Sequence, residues 1–111
     1  MIFFPKRGDV YWVNLNPTVG TEINKKRPAV IISNNTGNEF SSRIIIAPIT
    51  SQINKIYPFE VGISLKSKSG KILLDQLRCI DKIRLGNLIA PLDANTISKI
   101  DIVLKKVLAL N

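Results

Sequence analysis

The sequence predicts a mainly β fold, a small sandwich or barrel carrying one C-terminal α-helix. Three observations lead there. Five or six short runs rich in β-branched and aromatic residues are separated by turn signals. One of them, Arg43 to Pro48, is almost unbroken in its apolar character, which suits a strand buried on both faces, in a closed barrel or at a subunit interface. The period then changes near the end of the chain. Behind Asp93, a good N-cap, Ile97, Ile100, Val103, Leu104, Val107 and Leu108 recur at helical spacing.

In chain order, the first strand follows Lys6-Arg7-Gly8 and covers Asp9 to Leu15. Alternation puts Val10, Trp12 and Leu15 on one face and Tyr11 and Val13 on the other. Trp12 could stack on a base but is read first as a core anchor. A long loop, Asn16 to Lys26, is broken by Pro17 and Gly20 and carries Glu22, Lys25 and Lys26, with Arg27 directly behind it. The second strand runs from Pro28 to Ser33. Asn34 to Asn38 reads as a turn, and Arg43 to Pro48 is the third strand. Ile53 to Pro58 connects to a fourth strand, Phe59 to Leu65, with Glu60 outward. Ser67 to Gly70 reads as a turn, Lys71 to Leu77 as the fifth strand, and Cys79 to Ile83 as a short sixth. The helix is expected from Ala94 to Ala109, with Lys105 and Lys106 placed to suit its dipole.

The 111 residues are expected to form one domain, long enough to bury a core without disulfides. No apolar run approaches the ~20 residues of a membrane span, and Met1 to Phe4 is too short for a signal peptide, so the expected location is the cytoplasm. Cys79 is the single cysteine and is read as a small buried hydrophobe. With no histidine and one cysteine, no metal-ligand cluster is expected, and no cofactor motif is present. The net charge of +8 favours a polyanionic partner, most often nucleic acid.

Chemistry on RNA needs a base for the 2′-hydroxyl, positive charge against the developing phosphorane, a proton for the 5′-oxygen and contacts that hold the ribose in line. Of the eight carboxylates, Glu22 is the one in the basic loop. Arg27 stands at a strand entry before Pro28, where its backbone is held extended, and its planar fork can take two phosphate oxygens. Thr50 and Ser51 end an apolar strand and offer hydroxyl groups. Asp75 and Gln76 offer polar contacts to base or ribose.

These residues fall within a broader pattern. Lys6-Arg7-Gly8-Asp9-Val10-Tyr11-Trp12, then Asn16-Pro17 through Gly20-Thr21-Glu22, then Lys26-Arg27-Pro28, resembles the first half of the MazF/PemK toxins. The resemblance continues through Ile46-Ala47-Pro48-Ile49-Thr50-Ser51-Gln52 and Tyr57-Pro58-Phe59-Glu60-Val61. It resumes from Leu74-Asp75-Gln76 to Leu85 and so covers nearly the whole chain. It implies an SH3-like β-barrel of the MazF/PemK/CcdB type with a C-terminal helix. It also implies a homodimer, an acidic antitoxin of the MazE kind as partner, and metal-independent, sequence-specific cleavage of single-stranded RNA to 2′,3′-cyclic phosphate and 5′-hydroxyl ends. By the same resemblance Arg27, Thr50 and Glu22 are the catalytic candidates. Asn16, Thr18, Lys25, Lys26, Asn34, Ser51, Gln52, Gln76 and Arg84 are the candidate RNA contacts. Ile23 departs from the glutamine often found there, and Lys25 and Lys26 replace smaller residues. The competing readings are a CcdB-like toxin directed at a protein such as DNA gyrase, and a non-catalytic nucleic-acid-binding barrel. The second fits poorly with an aromatic content of 6%.

Overall fold

The third strand is the hub of the structure, a computed structural model that describes residues 3–111. Met1 and Ile2, which open the short apolar stretch considered above as a leader, lie outside the described residues. Strands β1 (Asp9–Asn14), β2 (Lys26–Ile31), β3 (Arg43–Thr50), β4 (Glu60–Leu65), β5 (Lys68–Leu73), β6 (Arg78–Asp81) and β7 (Leu85–Pro91) form one curled sheet in the order β4-β5-β3-β2-β1-β7, with β6 added on β3. β2 pairs along one edge of β3 through Ile31↔Ile46 and Ala29↔Pro48. β6 and β5 share its other edge end to end, β6 from Arg43 to Ile46 and β5 at Ile49 and Thr50. A short helix α1 (Asn35–Phe40) precedes β3, and α2 (Ala94–Val107) follows β7.

The central strands feed two cores, which is why β3 reads as a continuous apolar run. Val10, Val30, Ala47, Ile49, Ile72 and Leu74 pack under α2 around Ile100. Tyr11, Val13, Leu15, Ala29, Ile31, Ile44, Ile46 and Ile80 form the second cluster on the opposite face. Full burial of one such aliphatic side chain contributes about 1.5–3 kcal/mol. Ile100 is the one fully buried residue of α2. Gly8 brings the chain against the helix. Its φ is +92°, and a Cβ there would meet Ile97 Cδ1 at 2.6 Å. Arg7 completes the attachment, donating from Nε to Ile32 O and from Nη2 to Asp101. Asp93 caps α2 by accepting from Thr96 N at 2.7 Å, and hydrogen bonds from Thr96 hold its carboxyl below the usual carboxylate range.

The mainly β fold with its terminal helix is as predicted, and several local expectations are corrected. Asn34 does not make a simple turn but caps α1, accepting from Gly37 N, while Asn38 is fully buried against Ser33. The β4–β5 turn is Lys66-Ser67 rather than Ser67 to Gly70, because Leu65 pairs with Lys68. β5 ends at Leu73, and Leu74–Gln76 is a 3₁₀ turn. β6 ends at Asp81, before another such turn at Lys82–Arg84. α2 ends at Val107. β7 was not expected at all, since Gly86-Asn87 imitates a turn. Gly86 instead lets β7 approach β1, where a Cβ would lie 3.2 Å from Trp12 Cβ and O. Leu15 joins the Tyr11 face. Glu60 is buried, because the segment before β4 folds over it, and it pairs with Lys71 at 2.9 Å. Cys79 is exposed, on the outer face of β6 beside Ile45. Trp12 is 46% exposed, because its end of the Val10 face extends past α2 to a groove mouth.

Candidate functional site

The loop between β1 and β2 is held from three sides. Leu15 N donates to Lys25 O, and Lys25, at φ +73°, donates its N–H to Asn16 Oδ1. Arg78 donates to Leu15 O, and Arg84 donates to Asn14 O and Asn16 O. Ile23 N donates to Gln76 Oε1 at 2.8 Å. At the tip, Glu22 accepts from Val19 N, and its own N–H donates to Val19 O. Asn16, Gln76 and Arg84 therefore each spend hydrogen-bonding capacity on shaping this loop.

Three depressions ring the loop. The first, about 320 Å³, is lined by Glu22, Ile23, Asp75, Gln76 and Arg78 among others. The second, about 650 Å³, contains Asn14, Asn16 and Arg84 and shares Trp12, Lys26 and Asn87 with the third. The third is a groove of about 620 Å³. β2 and β3 pair side by side and bring Arg27, from the start of one, and Thr50, from the end of the other, into this groove. Lys26, Ser51, Lys66 and Lys68 also line it. Trp12, Pro28, Ile49, Ile63 and Leu88 supply its apolar part. Among the described residues its lining holds four cations and no carboxylate.

Arg27 is half-buried, and its Nε donates to Asn24 O at 2.7 Å. Among the described residues its hydrogen bonding runs through Nε, which leaves both Nη atoms for a ligand. Thr50 is buried to 8% exposure, and its Oγ1 accepts a long 3.3 Å bond from Gln52 N. A guanidinium fork and a hydroxyl on rigid strands, in a hollow without competing carboxylates, can bind and orient a phosphodiester. The predicted residues are thus only partly gathered. Arg27, Thr50, Lys26 and Ser51 share the groove. Glu22 and Gln76 face the neighbouring depression. Lys25 is exposed and Thr18 half-buried in the loop, Gln52 is exposed past β3, and Asn34 caps α1 outside the groove. The sequence reading missed Lys66, Lys68, Asn87 and Leu88 as groove residues, and for Trp12 it favoured the core over stacking on a base. Their signal was basic charge and an aromatic residue, without the pairing that brings them together. Among the described residues no three of His, Cys, Asp and Glu come together as metal ligands.

The curled sheet, terminal helix and cation-lined groove define a small basic β protein, a half-barrel with a helix, whose groove has the charge to suit a polyanion. The sequence matches the model of the PemK-like, MazF-like toxins of type II toxin–antitoxin systems over residues 6–108, and the protein belongs to that family. Endoribonuclease EndoA of Bacillus subtilis is 44% identical over 110 residues, covering 95% of each chain. MazF of Deinococcus radiodurans superposes with a TM-score of 0.87 at 28% identity, covering 98% of this chain and all of that one. A MazE-MazF structure from the same organism gives 0.79 at 26% identity, over 99% of this chain and all of that one. The CcdB-like alternative gains no support from these relatives.

Proposed function

We propose that the protein is the toxin of a type II pair and a sequence-specific endoribonuclease acting on single-stranded RNA. The observation that carries this is the convergence of Arg27 and Thr50 in a groove with four cations and no carboxylate, in a chain closely related to an endoribonuclease. The ribose 2′-oxygen attacks phosphorus, the bond to the 5′-oxygen breaks, and the products are a 2′,3′-cyclic phosphate and a 5′-hydroxyl. The Arg27 Nη atoms offset charge on the phosphorane, and the Thr50 hydroxyl orients its non-bridging oxygens. Glu22, on the loop beside the groove, is the candidate base that takes the proton of the 2′-hydroxyl, and solvent water supplies the proton that turns the leaving 5′-oxygen into a hydroxyl. We read the whole chain as one catalytic domain acting in the cytoplasm. No described helix is long and apolar enough to cross a membrane.

The test is incubation of purified protein with single-stranded RNA in excess EDTA. Discrete cuts should appear at the rate seen without chelator, because the groove offers cations and hydroxyls rather than metal ligands. Loss of cleavage in EDTA with rescue by magnesium would defeat the metal-free route. Cuts at a fixed short sequence separate this reading from non-catalytic binding.

We also propose a homodimer and an acidic antitoxin as partners. Ile45 and Cys79 lie side by side and exposed on the outer β3–β6 face, and Phe40 and Ile83 are largely exposed at 79% and 87%. Such apolar exposure is better explained by a partner than by water. The +8 charge suits an acidic segment that orders on binding, as the MazE-MazF relatives suggest. Sedimentation at micromolar concentration should give a dimer, and a monomer there would overturn the dimer assignment.

A further inference from the structure

We propose that Lys66 and Lys68, on either side of Ser67 at the tip of the β4–β5 hairpin, form a second phosphate-binding site of this groove, holding a phosphate that flanks the scissile one. The inference rests on the endoribonuclease reading above and adds a part that reading does not contain.

The first observation is backbone strain. Leu65 and Lys68 are register partners, so Lys66 and Ser67 form the whole turn, and both have positive φ, +48° and +68°. A two-residue turn of that kind matches the twist of the strands but requires left-handed backbone at both central positions, for which Asn-Gly is the favoured pair. This chain puts a lysine and a serine there instead. Strain held at an exposed turn that a commoner pair would relieve points to a role for the side chain.

The second observation is where that side chain lies. Lys66 and Lys68 line the same groove as Lys26, Arg27 and Thr50. The ion pairs among the described residues are Arg7 with Asp101 and Lys71 with Glu60, so neither hairpin lysine is neutralised by a carboxylate. Four unneutralised cations around one hollow repel each other until a polyanion enters. The wall shared with the second depression offers half-exposed Trp12 and Asn87, so a base can stack on this wall while a phosphate is held at the hairpin. A chain of phosphates running from Arg27 and Thr50 towards the hairpin brings one negative charge per link to the four cations, whereas a single phosphodiester carries one charge and leaves three of the four uncompensated.

The experiment uses an RNA oligonucleotide of the cleaved sequence with 2′-deoxyribose at the cut site, bound to otherwise intact protein across a range of salt. Ser67→Gly should raise Tm and leave RNA affinity unchanged. Lys66→Asn should also raise Tm, yet weaken binding and reduce the magnitude of the log–log salt slope by about 0.7, the value for one phosphate contact on a single strand. Lys66→Asn with Lys68→Gln should reduce it by about twice that. Lys99→Gln removes the same charge from α2, away from the groove, and should leave the slope at its wild-type value. Wild-type affinity and slope in the Lys66/Lys68 double variant, in a protein that still cleaves RNA, would refute the hairpin site while the endoribonuclease reading stands. An equal fall in slope for Lys99→Gln would refute it as a mere net-charge effect. Wild-type protein that neither binds nor cuts RNA would overturn both.

Discussion

Arg27→Ala should lower the rate of RNA cleavage by at least ~10²-fold, the scale for losing one donor aimed at transition-state charge. Arg27 is half-buried at the start of β2, outside both core clusters, and its protein hydrogen bond is to Asn24 O in the adjacent loop. The variant should therefore keep the wild-type circular dichroism spectrum and melt within a few degrees of it. Thr50→Ala should show a loss of similar scale, while Thr50→Ser, which keeps the hydroxyl, should recover most of it. Glu22→Gln is expected to cost less, since Glu22 opens on the neighbouring depression and is engaged with Val19 N. Initial rates on one oligonucleotide decide the matter. A folded Arg27→Ala protein that cuts at near-normal rate would mean the catalytic group is elsewhere. A Glu22→Gln loss as deep as that of Arg27→Ala would make Glu22 the base outright.

Lys71→Met should destabilise the fold by about 3–5 kcal/mol, the cost of removing one partner from a buried ion pair. The Glu60 and Lys71 side chains are only 6% and 11% exposed, and their charged atoms lie 2.9 Å apart. Lys71 Nζ also donates to Lys55 O, and Glu60 Oε1 accepts from Tyr57 N, so the pair fastens the irregular segment between β3 and β4. Removing the ammonium strands the carboxylate and frees that segment together. Substituting both residues, Glu60→Leu with Lys71→Met, should recover much of the loss, because two apolar groups leave no buried charge unpaired. Lys71 is the cross-strand partner of Thr50, so the single variant should also cleave poorly at temperatures where it remains folded. Urea denaturation of the single and double variants measures this. A single variant within 1 kcal/mol of wild type would show that the pair contributes little.

Local pattern determined much of this protein. The helical spacing from Ile97 to Leu108 and the Asp93 cap specify α2, because a period of 3.6 and a capping carboxylate act within a few residues. The apolar run of β3 announced burial on both faces, and two cores on either side of it supply the reason. The order of Arg27, Thr50 and their flanking motifs sufficed to indicate the family. What covers each face was decided only by tertiary structure. Alternation placed Trp12 on the Val10 face correctly, yet that face ends at a groove mouth, so Trp12 meets solvent. Glu60 alternates like an outward residue, yet the following hairpin carries Lys71 to it and the preceding segment covers both. β7 and the strained Lys66-Ser67 turn were hidden for a related reason. Gly86-Asn87 and Ser67 to Gly70 have the composition of loops, and only pairing with β1 and β4 makes their neighbours strands. The groove is assembled from β1, β2, β3, the β4–β5 hairpin and β7, segments far apart in the chain. Its lack of acidic residues is a property of that meeting, which sequence spacing does not encode.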